Sequence, residues 1–182
     1  YSEVDTLTGL LNRKTFDEYL LRILSALSAG GDEHLDALHL ERRRRAHDAD
    51  ADHWLAVIDI DHFKRVNDNF GHLIGDEVLL LVATMMKGAF RTHDKLFRFG
   101  GEEFIVLLKP NSAADAQRIF DRFRSGIEQR EFPQVGRVTV SIGYASIRLG
   151  DQPSVIIDNA DSALYWAKEN GRNRVACHAA LV

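Results

Sequence analysis

Four acidic side chains stand where strand-like runs end. Asp59 and Asp61 close the apolar stretch WLAVIDID (54–61), and Glu102 and Glu103 follow Gly100 and Gly101 in RFGGEEF (98–104). Residues two apart on a strand leave on the same face, so Asp59 and Asp61 point one way. If the hairpin built from RFGGEEF pairs beside that strand, Glu102 and Glu103 come near Asp59. Carboxylates gathered in this way repel one another unless a cation sits between them, and a hard divalent ion with oxygen ligands suits the set. Mg²⁺ keeps several waters and takes one or two carboxylates plus substrate phosphates, which implies a nucleoside triphosphate as its companion. The glycines lack Cβ, so they permit a turn with positive φ and let a ligand approach the backbone. Read alone, GGEE between strands also describes a solvated turn, and the rest of the chain must decide.

Several elements must position these acids. A helix with the apolar stripe Phe16, Leu20, Ile23, Leu24 and Leu27 is expected to end at Gly30 and Gly31. Trp54 to Asp61 reads as a buried strand, His62 to Asn69 as a helix stopped by Gly71, and Asp76 to Phe90 as a mostly buried helix. Lys95 to Phe99 and Glu102 to Leu108 are joined only by Gly100 and Gly101, a hairpin with a two-glycine turn. Asn111 or Ser112 can cap a helix to about Gln129 whose inner face holds Ala116, Ile119, Phe120, Phe123 and Ile127. Arg137 to Arg148 alternates Val138, Val140, Ile142 and Tyr144 with Thr139, Ser141 and Gly143, a period of two that predicts a half-exposed strand. Ser154 to Asn170 is helical, ended by Gly171, and Val175 to His178 is a last edge strand. The connections are too short for a doubly wound parallel sheet, so the fold class is α+β with a mainly antiparallel sheet.

The 182 residues, 45% hydrophobic and 27% charged, fit one soluble domain with a core of its own. No apolar run is long enough for a membrane span and no signal-peptide pattern is present. The chain starts at Tyr1 without methionine, which predicts an excised module with an N-terminal neighbour. Cys177 is the single cysteine, reads as a small strand residue and fits a reducing compartment. A net charge of −4 gives no general attraction for nucleic acid, so phosphate binding must be local. Ser28 to His53 reads as an insert. Leu35, Leu38 and Leu40 suit a short amphipathic helix with the basic run Arg42 to Arg45, a solvated surface, at its end. His34, His39, His47 and His53 invite zinc, but their spacing matches no standard ligand pattern.

VIDIDHFKRVNDNFGHLIGDEVL and RFGGEEF together resemble the GGDEF family of diguanylate cyclases. The likeness starts at DTLTGLLNR (5–13), includes SIGYA (141–145) and closes with ADSALYWAKENGRNRV (160–175), covering nearly the whole chain outside the insert. It implies a single GGDEF domain over 1–182 with a five-stranded, palm-like nucleotidyl-cyclase fold. The implied activity joins two GTP into cyclic di-GMP and releases two pyrophosphates.

Position by position, the resemblance makes Asp59, the carbonyl of Ile60 and Glu102 the ligands of Mg²⁺, or of Mn²⁺ in its place. Glu102 and Glu103 are the catalytic acids, with Glu103 activating or stabilising the attacking ribose 3′-hydroxyl. Guanine falls to Asn67 and Asp76: an amide both donates and accepts, and a carboxylate accepts from the N1 and N2 hydrogens that adenine lacks. Phe63 joins the substrate site, and Lys64, Lys168 and Arg172 match the triphosphate-binding cations. Gly71 and His72 are structural, His72 as a core histidine, and Asp61 caps the helix carrying Lys64 and Asn67. Arg91 and Asp94 of RTHD match an inhibitory RxxD site for cyclic di-GMP, with Arg118, Arg122 or Arg124 completing a neighbouring subunit's site. Because one site holds one GTP, the resemblance implies a homodimer of facing sites. It also implies a sensory or regulatory module before Asp5 and a cytoplasmic location, as part of a larger, membrane-attached bacterial protein or free of the membrane. Glu102 stands where the family name has aspartate, a change many active relatives share. The competing reading is a catalytically silent GGDEF domain that senses GTP or cyclic di-GMP. The guanine pair disfavours a third, a different nucleotidyl cyclase on a similar scaffold.

Overall fold

The apolar run ahead of Asp61 is the middle strand of the sheet. The computed structural model describes residues 2–33 and 51–182. Strand β1 (Asp52–Ile60) pairs antiparallel with β3 (Glu103–Asn111) on one side and β4 (Val140–Ile147) on the other. β2 (Lys95–Gly100) extends the sheet beside β3, and β5 (Val175–Cys177) lies parallel to β4, so the order is β2-β3-β1-β4-β5. Helices α1 (Arg13–Glu33) and α5 (Pro153–Glu169) cover one face. The other is covered by α2 (Phe63–Phe70), α3 (His72–Ala89) and α4 (Ala113–Gln129).

The two-residue period of the strands sorts their side chains between two cores. On β1, Leu55 and Val57 pack with Phe16 and Leu20 of α1 and with Ile156 and Ala160 of α5. Trp54, Ala56, Ile58 and Ile60 pack with Val78 and Val82 of α3 and Phe120 of α4. On β3, Ile105 and Leu107 join the first core, and Phe104, Val106 and Leu108 the second. The same parity puts Asp59 and Glu103 on the face covered by α5, and this brings them to the cation at that helix's end.

α1, β1 and β4 each differ from the sequence reading. α1 does not stop at Gly30 and Gly31 but runs to Glu33. Glycine costs a helix up to about 1 kcal/mol per residue, and the stripe of Phe16, Leu20, Ile23, Leu24 and Leu27 on the sheet offsets that cost. β1 begins at Asp52, two residues before the expected Trp54. The readings placed on His34, Leu35, Leu38, His39, Leu40, Arg42 to Arg45 and His47 lie outside the described residues. β4 is buried on both faces instead of half-exposed, because its small residues face α5 and not water. A Cβ on Gly143 would sit 2.1 Å from the Leu164 nitrogen and 2.4 Å from the Ala160 carbonyl oxygen. Only a bare backbone lets α5 settle that closely.

Other local signals hold. Ser112 caps α4, its hydroxyl accepting from the Asp115 amide at 3.1 Å. Gly71, at φ 86, closes α2 by donating to the Asn67 carbonyl at 2.8 Å. No helix among the described residues is long and apolar enough to cross a membrane.

Two glycines should therefore respond in opposite ways. Gly143→Ala forces backbone against backbone and should cost about 3 kcal/mol or more. Gly126→Ala, inside α4 with open space around the new methyl, should stabilise by about 0.5–1 kcal/mol. Chemical denaturation of both variants measures the contrast, and equal effects would contradict the close seating of α5 on β4.

Candidate active site

Asp59 is the last acid on β1 and lies directly opposite Glu103 in the β1–β3 register, with Ser141 opposite it on β4. Lys168, in the last turn of α5, ion-pairs with Asp59 Oδ2. Asp59 Oδ1 is buried and has no hydrogen-bond partner among the described residues. Burial, reinforced by Glu102 and Asp61, raises the Asp59 carboxyl above its ordinary range although Lys168 pulls it down. Glu103 is pushed up to about 6, first by burial and then by the charges of Asp161 and Asp59. Asp161 sits seven residues before Lys168, two helical turns, and so shares its face of α5. Partial desolvation and then Asp158 raise Asp161 in turn.

This arrangement fits a divalent cation of one kind. Among the described residues no three His, Cys, Asp or Glu side chains form a cage that could hold an ion unaided. What the site has is one buried, unpartnered carboxylate oxygen with further carboxylates beside it, so an ion here would complete its shell with water and substrate oxygens. That is the habit of Mg²⁺ rather than of a caged structural metal.

The hairpin differs from its predicted form by one residue. Gly100 pairs with Glu103, so the turn consists of Gly101 and Glu102, and a register shift lies between Arg98 and Gly100. Gly101 takes φ 50, where glycine is favoured. Arg98 holds this turn: its Nε and Nη2 donate to the Gly101 carbonyl at 3.2 and 2.9 Å. Its Nη1 reaches both carboxylate oxygens of Asp5, at 3.4 and 3.3 Å. Ile60 donates from its amide to the Glu102 carbonyl at 3.3 Å, tying the turn to the end of β1.

Asn67 and Asp76 meet across the α2–α3 junction. A Cβ on Gly75 would lie 1.9 Å from Asn67 Oδ1, so the Asn67 amide rests directly on the backbone beside Asp76. Phe63 is buried below them and Asp76 is exposed. Lys64 is not gathered to the carboxylates; it is exposed and pairs with Asp68 at 2.9 Å. Arg172 follows Lys168, donating from Nη1 to its carbonyl at 3.4 Å. Two secondary readings are corrected. His72 is exposed at the start of α3, not in the core. Asp61 caps no helix: His62 stands at the N-cap of α2 without a side-chain bond. Asp61 instead accepts from Thr139 Oγ1 at 2.7 Å, Ser141 Oγ at 2.6 Å and the Asn173 amide at 3.0 Å. These bonds lie across the sheet, where no local sequence pattern signals them.

RTHD forms a tight turn between α3 and β2. Asp94 accepts from the Arg91 amide at 3.0 Å and the Lys109 amide at 2.9 Å. Arg91 and Asp94 line a cleft of about 620 Å³ together with Arg118 and Arg122 of the same chain. Arg124 is turned elsewhere, to Asp121, Glu128 and Asn173.

A family model described as "Diguanylate cyclase, GGDEF domain" matches residues 33–174. The chain belongs to the GGDEF family. This GGDEF domain is 38% identical over 174 residues to diguanylate cyclase DgcP of Pseudomonas aeruginosa, which covers 94% of this chain and 23% of that protein. It is 37% identical over 182 residues to the response regulator PleD of Caulobacter vibrioides, covering 97% of this chain and 36% of PleD. The chain thus spans about a quarter to a third of the length of these relatives. Among solved structures, the GGDEF domain of DgcB from Caulobacter crescentus in complex with c-di-GMP superposes with a TM-score of 0.82 at 31% identity, over 98% of this chain and 97% of that one.

The raised Glu103 makes the GGDEF domain less stable near neutral pH than it need be. The folded state holds the Glu103 proton more tightly than an ordinary carboxyl of 4.5, so stability falls as pH rises from there through about 6. In metal-free protein at about pH 7, Glu103→Gln should gain about 1 kcal/mol after allowing for solvent screening, or about 2–4 °C in Tm. The gain should vanish below about pH 4.5. Melting curves at both pH values check it, and a variant no more stable at the higher pH would refute the strained carboxylate.

Proposed function

We propose that this GGDEF domain is a diguanylate cyclase that joins two GTP into cyclic di-GMP and releases two pyrophosphates. The observation that carries this reading is the pairing of Asp59 with Glu103, beside Lys168, at the open end of the sheet. The guanine edge falls to Asn67 and Asp76, and Gly75 leaves the Asn67 amide its place. Asp76 accepts from guanine N1–H and N2–H, which adenine cannot offer. Lys64, Lys168 and Arg172 serve the triphosphate, and Phe63 lies beneath the guanine pair.

The ribose 3′-hydroxyl gives its proton to Glu103 as the 3′-oxygen bonds to the α-phosphorus of the facing GTP. The bridging bond to the β-phosphate breaks, and pyrophosphate leaves with the electron pair. A second transfer with the roles exchanged closes the ring. Asp59, the Ile60 carbonyl and Glu102 would hold Mg²⁺, or Mn²⁺ in its place, which when bound spreads the charge developing on the phosphate oxygens. The family's description and the names of its relatives support the activity. A complex of DgcB with c-di-GMP supports recognition of the product.

One domain presents one such site, so two copies must meet face to face, and their approach controls the rate. A regulatory module preceding Asp5 in the full-length protein, in the bacterial cytoplasm where GTP is found, would set that approach. The cleft of Arg91, Asp94, Arg118 and Arg122 is the seat of product feedback: guanidinium forks for phosphate or the guanine Hoogsteen edge, and a carboxylate for the base.

Incubation with GTP and Mg²⁺ at high protein concentration should yield cyclic di-GMP by liquid chromatography. Asp59→Asn and Glu103→Gln should each lower the rate about 100-fold or more. A verified dimer that binds GTP and forms no product would replace this reading with a nucleotide sensor. Arg91→Ala should straighten progress curves that flatten as cyclic di-GMP accumulates. Unchanged flattening would remove RTHD from the feedback site.

A further inference from the structure

Arg172 faces two ways. It touches the Lys168 carbonyl beside the carboxylates, and it also lines a separate polar cleft of about 500 Å³ between α2, the segment before β4 and the turn after α5. The walls of that cleft include Arg65, Asn69, Arg137, Thr139, Arg172 and Asn173. Three guanidiniums from three separate elements thus converge in a chain whose net charge is −4. The carboxylate in the wall is Asp61, 7% exposed and engaged by Thr139, Ser141 and the Asn173 amide. Its charge is spent inward. Arg137 meets Glu128 through one nitrogen, which leaves the rest of its five-donor fork available. The Arg65 side chain makes no hydrogen bond or ion pair among the described residues.

Resting on the cyclase reading, we infer that this cleft is a diphosphate site that receives the leaving pyrophosphate, with Arg65 and Arg137 completing a grip that Arg172 begins. When the bond between the α- and β-phosphates breaks, the departing group carries the electron pair and several negative charges. Forked, always-charged donors bind such oxygens better than lysine points do. Asn69 adds a neutral amide donor between the arginines, and Asn173 keeps the second hydrogen of an Nδ2 that donates to Glu128 Oε2 at 2.9 Å. Arg172 is common to both places, so the leaving group can pass from the Lys168 side to the cleft without losing every cation at once.

The terminal phosphates of bound GTP share this diphosphate chemistry, and titration calorimetry on the whole chain separates the two sources. Pyrophosphate and a non-hydrolysable GTP analogue are titrated into the parent chain, the Arg65→Gln/Arg137→Gln pair and the Arg65→Lys/Arg137→Lys pair, each with its melting curve. Pyrophosphate affinity should fall about tenfold or more in the glutamine pair and recover in part with lysine, while affinity for the analogue moves less than about threefold. Unchanged pyrophosphate binding overturns the inference. An equal fall for the analogue also overturns it, since the arginines would then hold the substrate's own phosphates. A chain that binds pyrophosphate through these arginines yet makes no cyclic di-GMP would sink the cyclase reading and keep the diphosphate site.

Discussion

The structure turns on a buried carboxylate that is only half neutralised. Asp59 is the last acid of a strand covered on both faces, with one oxygen on Lys168 and the other without a partner among the described residues. Removing such a charge from water costs several kcal/mol unless the surroundings repay it, and Lys168 alone does not, since the carboxyl remains raised. Glu103 stands opposite in the same predicament. Packing imposes this conflict. The parity that sends Leu55 and Val57 into the core under α1 and α5 sends Asp59 to the same side, and sheet pairing then fixes Glu103 as its neighbour. Strain of this kind persists when the scaffold over-determines it, and it concentrates where chemistry is done.

The scaffold's contribution is closeness. Gly143 lets the backbone of α5 rest on β4, which aims the far end of that helix, and Lys168 with it, at the end of β1. Gly75 does the same for α2 and α3, letting the Asn67 amide lie on bare backbone next to Asp76. Both glycines are at ordinary φ, so their role is the absence of a side chain and not a permissive turn. Gly101 is the different case, a turn residue at positive φ whose carbonyl is clasped by Arg98.

This difference explains what was legible in the sequence. Strand and helix types followed from periodicity, and the short turn fixed the β2–β3 hairpin; that the hairpin lies beside β1, a condition in the sequence reading, comes from the long-range β1–β3 register. Boundaries failed where tertiary packing outweighed local preference, as with Gly30 and Gly31 inside α1. The exposure of β4 was misread because Thr139, Ser141 and Gly143 look solvated in one dimension, whereas they face Asp61 and α5. Asp161, Gly75, Arg98 and Asp5 went unassigned for a related reason. Their partners lie on other elements, as with Asp5 and Arg98, 93 positions apart. The signal that could have found Asp161 was its helical phase with Lys168; for Asp5 and Arg98 there was only their presence at the edges of the two quoted blocks.

The Arg98 fork bears on how the site is held. One half-buried guanidinium joins the carboxylate of Asp5, near the start of the chain, to the turn that carries Glu102. The Asp5 turn is itself stiff: its carboxylate accepts from the Thr8 amide at 2.9 Å and hydroxyl at 2.7 Å, and the adjoining Leu11 amide donates to Leu96 on β2. A displacement of the segment before α1 is therefore not absorbed by a loose loop. The Arg98 fork ties that segment to the Gly101 carbonyl, one residue from Glu102. The GGEEF hairpin and the entry to the domain are thus joined both by the Arg98 fork and by the backbone bonds of Leu11 to Leu96 and Arg98, so the turn at Glu102 is held from the chain's beginning as well as from the strands on either side.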